Sequence, residues 1–469
     1  MIAQNPTAKS GGELVVEALA ANGVTDIFCV PGESYLPVLD ALYDVDQIRV
    51  TVCRQEGGAA MMADACGKLT GQPGICMVTR GPGACNAASG VHVAAQDSTP
   101  MLLLIGQVAR TDLEREAFQE IDYRAMFGSI AKWVAQIDDA ARVPEFIARA
   151  FATATGGRPG PVVLALPEDM LRDRVAAPSI QPVIPVVQHP GAGQIEAMAE
   201  LLGNSKRPLV ILGQSGWTAP AIADIRRFAE NWQLPVAVSF RAQDTFDNDH
   251  ENYAGDVGIA INPALARRVR EADVLLVVGA RMGEMTTSGF TLLDIPVPRQ
   301  QLIHVHPGAP ELGRIYQPAL GINASLPAFA AMAAGCPVPG KPAWGGQTSA
   351  ARSEFLEWTR PVAMPGPVQM CDVISHLRHR LPDDAIVCNG AGNYAGWLHR
   401  FSRYRGWRTQ LAPTSGSMGY GLPAAVAAAR IAPERTVVAL AGDGCAMMTI
   451  QELATAVQYQ LQLVLIVVN

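Results

Sequence analysis

Short, nearly continuous apolar runs alternate with Ala-rich stretches along most of this chain. Runs of this length without polar interruption predict strands buried on both faces, and the Ala-rich stretches between them predict helices, the pattern of a parallel sheet wrapped by helices. The first set of predicted strands is DIFCV (26–30), IRVTVC (48–53), GICMVT (74–79), MLLLI (101–105) and PVVLAL (161–166). A Pro-rich passage without periodicity, 174–193, reads as a linker. A second set follows: PLVILG (208–213), PVAVS (235–239), ADVLLVVG (272–279) and QLIHVH (301–306). Another Pro/Gly-rich passage, 336–353, precedes AIVCN (385–389), RTVVAL (435–440) and LQLVLIVVN (461–469). The expected fold is α/β, with three doubly wound parallel-sheet domains at 1–175, 190–340 and 360–469.

Composition sharpens this picture. With 469 residues, 49% hydrophobic and 17% charged, the chain can bury large cores, and its length suits about three domains. A net charge of −7 and the lack of a basic tract exclude a nucleic-acid partner. Apolar runs such as LVLIVV are far too short to span a bilayer, and the first residues lack a basic-then-apolar leader, so no membrane association is expected. Nine cysteines, odd in number and never in C-x-x-C spacing, argue against disulfides and zinc and suit a cytoplasmic protein.

Several segments carry candidate chemistry. In CRQEGGAAMMADACGKLTG, Glu56 directly follows a strand, and Gly57 and Gly58 let the backbone turn sharply into a helix. Ligands bind at the carboxyl ends of such strands, although an acid interacting with the helix dipole explains the residue as well. Gly81-Pro82-Gly83 repeats the strand-to-helix transition, with Asn86 as a hydrogen-bonding side chain, and an ordinary tight turn accounts for it equally. Phe118, Gln119 and Lys132 in AFQEIDYRAMFGSIAKW offer an apolar wall, an amide and a cation, and a helix surface would explain all three. The last segment is more specific. Asp443 sits between Gly442 and Gly444 at a strand end, and Asn469 follows one helix and one strand later. A crossover helix returns the chain to the same sheet edge, so an Asp and an Asn oxygen converge there and suit Mg²⁺.

Taken in order, RQEGGAAMMADACGKLTGQPG, GPGACNAASGVHVAAQDSTP, AFQEIDYRAMFGSIAKW, GGRPGPVVLALPEDM, TSGSMGYGLPAAVAAA and GDG…N resemble the thiamine-diphosphate enzymes of the acetolactate synthase large-subunit type. The resemblance covers essentially the whole chain. It implies a pyrimidine-binding, a central and a diphosphate-binding domain, and a homodimer or homotetramer with active sites between subunits. It also implies that a third metal ligand lies just beyond the Asn, so the last domain is expected to be incomplete at Asn469.

Carried over residue by residue, the resemblance makes Glu56 the acid that hydrogen-bonds the cofactor's aminopyrimidine. Met418 would wedge beneath the cofactor, although an ordinary core methionine suits its spacing better. Asp443 and Asn469 would hold Mg²⁺. Gly32, Pro82, Asn86, Ser417, Gly442 and Gly444 match cofactor-binding positions, and Phe118, Gln119 and Lys132 match substrate-channel positions. The implied reaction is decarboxylating carboligation of a 2-oxo acid, pyruvate to acetolactate, a step of branched-chain amino-acid biosynthesis.

Departures bear on substrate and flavin. PGESYLP replaces the family's P-G-G-A, adding Glu33 and Ser34 near the expected substrate region, and NGAGNYAGWLHRF (389–401) replaces V-G-Q-H-Q-M-W. A non-redox FAD is implied in the central domain, with Arg158, Gly213 and Arg281 at matching positions. However, GARMGEM lacks the family's acids and second arginine, and His304 and His306 stand where H-I-D-I-D-P has carboxylates. FAD therefore stays open. Alternative functions are another thiamine-diphosphate 2-oxo acid decarboxylase or lyase, or a non-catalytic homologue. A Rossmann dehydrogenase has only weak support from GYGLPA and GAGNYA, because neither clearly follows a strand with an acid about twenty residues on.

Overall fold

The computed structural model describes residues 8–176, 180–214, 216–338, 340 and 342–469. Parts of both predicted linkers, at 177–179, 339 and 341, and the first seven residues of the leader reading lie outside the described residues. The chain groups into two compact units. The first comprises Met1–Val186, Ser415–Glu434 and Asp443–Leu465; the second comprises Val187–Thr414, Arg435–Gly442 and Ile466–Asn469.

The first unit is built on six parallel strands in the order Arg49–Val52, Asp26–Cys29, Gly74–Val78, Met101–Gln107, Pro161–Pro167 and Trp133–Gln136. Every residue of Gly74–Val78, Met101–Gln107 and Pro161–Pro167 is buried, as expected for strands with helices on both faces. One face packs Leu14, Val15 and Leu19 of helix Gly11–Ala21 and Ile147, Ala150 and Phe151 of helix Val143–Thr155 against Ile27, Leu104 and Leu164. Each fully buried Leu, Val, Ile or Phe side chain contributes about 1.5–3 kcal/mol. Helices Glu56–Thr70 and Pro82–Asp97 pack against each other through Gly90, whose Cβ would fall 2.4 Å from that of Ala60.

The second unit holds six parallel strands in the order Tyr253–Val257, Val236–Ser239, Pro208–Leu212, Val274–Val278, Gln301–His306 and Leu320–Asn323. A further sheet runs Gln410–Leu411, Ile386–Asn389, Val437–Gly442 and Val464–Val468, with its first three strands parallel. The predicted strands recur within two residues at each end, except that the last begins three residues later, at Val464. The additional ones, such as Trp133–Gln136, Tyr253–Val257, Leu320–Asn323 and Gln410–Leu411, lie at sheet edges. They are short or contain glycine, which weakens any periodic signal. A helix, Gln347–Trp358, begins inside the passage that reads as the second linker.

No described helix is long and apolar enough to cross a membrane. None of the nine cysteines is in a disulfide.

Candidate active site

The first sheet presents its carboxyl ends through glycine-rich turns. Strand Arg49–Val52 leads into Gln55, which caps helix Glu56–Thr70 by accepting the Gly58 N–H at 3.0 Å. Glu56 is therefore the first helical residue, half-buried, with its Oε2 accepting from Asn86 Nδ2 at 2.9 Å. Asn86 lies on helix Pro82–Asp97, which starts from the neighbouring Gly81 turn.

Gly81 adopts φ +58°, and a Cβ there would fall 2.7 Å from that of Gln119, so only glycine fits this approach. Its N–H donates to the Tyr123 hydroxyl at 3.1 Å. A Cβ at Gly83 would meet Thr79 Cγ2 at 3.0 Å and Glu56 Oε1 at 3.4 Å, so the glycine lets this helix start close against the carboxylate. Gln119 itself takes φ +68°, a strained conformation for a residue with a side chain, and the adjacent Phe118 is 78% exposed. Pro82, exposed, occupies the first turn, where its missing N–H costs nothing. Gly32 meets Thr79 so closely that a Cβ would fall 2.4 Å from the threonine Cβ. Glu56, Asn86, Gly81 to Gly83 and Gln119 are thus gathered at one end of the sheet.

The Ser417–Met418 turn belongs to the same unit. Gly416 and Gly419 have positive φ, the Gly419 N–H donates to Cys445 Sγ at 3.2 Å, and the Thr449 hydroxyl donates to the Gly419 carbonyl at 2.7 Å. Met418 is 39% exposed, and its Cε lies 3.4 Å from where a Gly444 Cβ would be, so its side chain is not a buried core methionine. Ser417 Oγ reaches the Met418 carbonyl at 3.2 Å.

Asp443 is exposed and opens the short helix Asp443–Met447 directly after strand Val437–Gly442. Gly442 packs under Tyr394, whose ring carbon would be 3.2 Å from a Cβ there. Asn469 follows Val464–Val468, the neighbour of Val437–Gly442 in the sheet. Among the described residues no cluster of three or more His, Cys, Asp or Glu forms a protein-only metal cage.

Lys132 and Arg158 sit elsewhere. Both precede strands of the first sheet and so lie at its amino end, opposite Glu56. The Lys132 ammonium donates to the carbonyls of Thr153 and Gly156, the latter at 2.7 Å, and so closes the end of helix Val143–Thr155. Desolvation of that head, with the Arg158 guanidinium nearby, holds Lys132 below the usual ammonium range. Arg158 donates to Ser98 Oγ at 2.8 Å and to the Ala95 carbonyl at 2.6 Å, at the end of helix Pro82–Asp97.

The remaining flavin positions also make internal contacts. A Cβ on Gly213 would lie 2.2 Å from the Gly279 carbonyl oxygen, so this glycine serves close packing of two strand ends. Arg281 lies 3.7 Å from Glu311, which also pairs with Arg314 at 3.1 Å. His304 is buried, with Nε2 3.0 Å from the Ala280 carbonyl, and desolvation lowers its pKa. The cavity that Arg281, His304, Glu311, Arg314 and Tyr316 line is about 220 Å³, smaller than the usual range for even a drug-sized ligand. These residues do not form a fitted dinucleotide site.

Two groups escaped the sequence reading. Lys68 Nζ pairs with Asp64 at 2.9 Å and with Asp97, while the Tyr420 hydroxyl donates to Asp64 at 2.7 Å. Desolvation opposes the Lys68 charge, but the two carboxylates overcome it and raise its pKa; burial raises that of Asp64. The i, i+4 spacing of Asp64 and Lys68 within an otherwise apolar helix was the available signal. The second group is Arg80 and Glu168, paired at 2.9 Å and attached to Gly81 and to the carboxyl end of strand Pro161–Pro167. Ser34, expected near the substrate region, instead has a buried hydroxyl bonded to Thr79 Oγ1 at 2.9 Å.

Three family models match in succession along the chain. The N-terminal TPP binding domain of thiamine pyrophosphate enzymes matches residues 9–126, their central domain 195–332, and their C-terminal TPP binding domain 390–469. The acetolactate synthase large subunit of Parasynechococcus marenigrum is 31% identical over the whole chain, which spans 77% of that protein. The chain belongs to the thiamine pyrophosphate enzyme family. Acetolactate synthase isozymes 1 and 2 of Escherichia coli, large subunits, are 32% and 30% identical, over 98% of this chain and 81% and 83% of theirs. This thiamine pyrophosphate enzyme is therefore of the acetolactate synthase type, and its α/β sheets are those of the family's three domains.

Proposed function

We propose that this enzyme catalyses thiamine-diphosphate- and Mg²⁺-dependent decarboxylating carboligation of 2-oxo acids, pyruvate to acetolactate. The observation that carries the proposal is the half-buried Glu56 carboxylate, oriented by Asn86 at the carboxyl end of the first sheet. When bound, the cofactor supplies the electron sink for cleaving the bond to the substrate carboxylate.

The chain's own residues supply position and proton handling. Glu56 would exchange a proton with the cofactor pyrimidine, and Asn86 fixes the oxygen not so engaged. Met418 would offer its exposed apolar side chain to the cofactor, and Gly32, Pro82 and Ser417 would be further cofactor-binding positions. Asp443 and Asn469 would hold Mg²⁺, and Gly442 and Gly444 keep side chains away from the diphosphate. Phe118 and Gln119 stand at the rim, where the substrate would enter. Lys132, Arg158, Gly213 and Arg281 receive structural roles here, and no flavin step is part of the reaction.

The working form would be a cytoplasmic homodimer or homotetramer with active sites between subunits, a setting that suits nine cysteines outside any disulfide. A second reading, another thiamine-diphosphate 2-oxo acid lyase, is favoured by the Arg80–Glu168 ion pair, which sets polar groups beside Gly81. Purified enzyme assayed with pyruvate and a panel of charged and aryl 2-oxo acids, with and without thiamine diphosphate and Mg²⁺, separates the two. Cofactor-dependent acetolactate supports the first. Carbon dioxide release from another 2-oxo acid, without acetolactate from pyruvate, supports the second.

A further inference from the structure

We infer that Glu452 is a positioning residue for Glu56, holding the two residues that lead into the Glu56 helix; the inference rests on the reading of Glu56 as the proton-handling group. Strand Arg49–Val52 is an edge strand, so its outer backbone groups have no strand partner. Helix Glu452–Gln458 and Tyr459, from the same compact unit, supply partners instead. The Tyr459 hydroxyl accepts the Val52 N–H at 2.8 Å and lies 3.4 Å from the Val50 carbonyl.

The next two residues are held by Glu452. Its Oε1 accepts the N–H groups of Arg54 at 3.1 Å and Gln55 at 3.0 Å, while its Oε2 accepts the Thr455 hydroxyl at 2.7 Å. The residue is 0% exposed. Gly58 makes room for it, since a Cβ there would fall 2.7 Å from Oε1. The carboxylate thus lies at the amino end of helix Glu56–Thr70, where unpaired N–H groups and the helix dipole favour an anion. Burial pushes its pKa up, and the hydrogen bonds from Thr455, Arg54 and Gln55 pull the other way.

With Gln55 capping Gly58, the main chain on both sides of Glu56 is pinned. Glu56 faces its reacting partner from the first turn of a helix, so freedom at Arg54–Gln55 becomes displacement of its carboxyl group. A displacement of about 1 Å can cost about 100-fold in rate.

The test compares Glu452→Gln, Gly58→Ala and Glu56→Gln in the full chain. The Gln variant keeps the shape but loses the charge and one acceptor; the Ala variant displaces an intact Glu452. Both should lower kcat by about 10- to 100-fold with little change in substrate KM. In the cofactor-free protein, both should accelerate amide hydrogen exchange across residues 50–58 by tenfold or more, with residues 161–167 unchanged. A merely structural role would lower Tm or raise exchange everywhere while leaving kcat below the melting range unaltered. Wild-type turnover and exchange in both variants, while Glu56→Gln is inactive, would overturn the inference and leave the Glu56 reading standing. Full turnover in Glu56→Gln would overturn that reading, and the exchange data would still decide whether Glu452 holds the loop. If Glu452→Gln does not fold, Gly58→Ala gives the same decision.

Discussion

The two ends of the first sheet carry residues matched to the same family by equally persuasive motifs, yet they are built differently. At the carboxyl end, Asn86 bonds Glu56 and the Gly81 turn packs closely against Gln119. At the amino end, the cations of Lys132 and Arg158 are engaged with helix-terminal carbonyls. A motif names a residue; the direction of the strand beside it decides which end of the sheet it serves. In a parallel sheet only the carboxyl end gathers successive strand-to-helix turns, with helix amino termini facing the ligand.

That contrast is broken most directly at Glu56. Glu56→Gln should lower kcat about 10²- to 10⁴-fold, the usual contribution of a positioned acid or base, without lowering Tm. Turnover within a few-fold of wild type would remove the distinction between the ends. Next in size, Lys68→Met leaves the buried carboxylates of Asp64 and Asp97 without their cation and should destabilise the fold by about 3–5 kcal/mol in urea unfolding. The sign with pH follows from Asp64, whose native pKa is raised by burial. Such a group binds protons more readily folded than unfolded, so the deficit should shrink as pH falls from 7 toward 4. A deficit that grows on acidification would contradict this reading.

How much of this could be seen in the sequence depended on whether a property is local. Strands such as MLLLI and PVVLAL are apolar throughout because both faces are covered, and their pattern located them almost to the residue. Glu56 and the Gly81 turn were legible because turn chemistry is written in adjacent residues. Glu452 was not, since its partners Arg54 and Gln55 are nearly four hundred residues away and a helix-start acid looks ordinary. The roles of Gly213 and Ser34 were equally hidden, because close approach of two strands or a hydroxyl pair at Thr79 leaves no periodic trace.

Smaller effects sharpen the comparison. Asn86→Ala removes a hydrogen bond to a charged group, about 1.5–3 kcal/mol, and should lower kcat about 10- to 100-fold; an unchanged kcat would mean that Glu56 orients itself. Lys132→Met should do the reverse. It loses two carbonyl contacts, costing about 0.5–1.5 kcal/mol of stability, and should leave kcat within about threefold. A much larger loss of turnover, with an unchanged Tm, would place Lys132 at an active site after all. The smallest expected signal is from flavin: heat-denatured enzyme should release far less than one FAD per chain, read by absorbance of the supernatant. Stoichiometric release would show that the contacts of Gly213 and Arg281 rearrange around a dinucleotide.

The central claim is that Glu56 handles the proton that activates the cofactor. It is tested most directly by quenched-flow measurement of hydrogen–deuterium exchange at C2 of enzyme-bound thiamine diphosphate, before any substrate is added. The account predicts rapid exchange in the wild-type enzyme and a rate lowered about 10²- to 10⁴-fold in Glu56→Gln, with cofactor still bound. Equal exchange rates in the two proteins would contradict it.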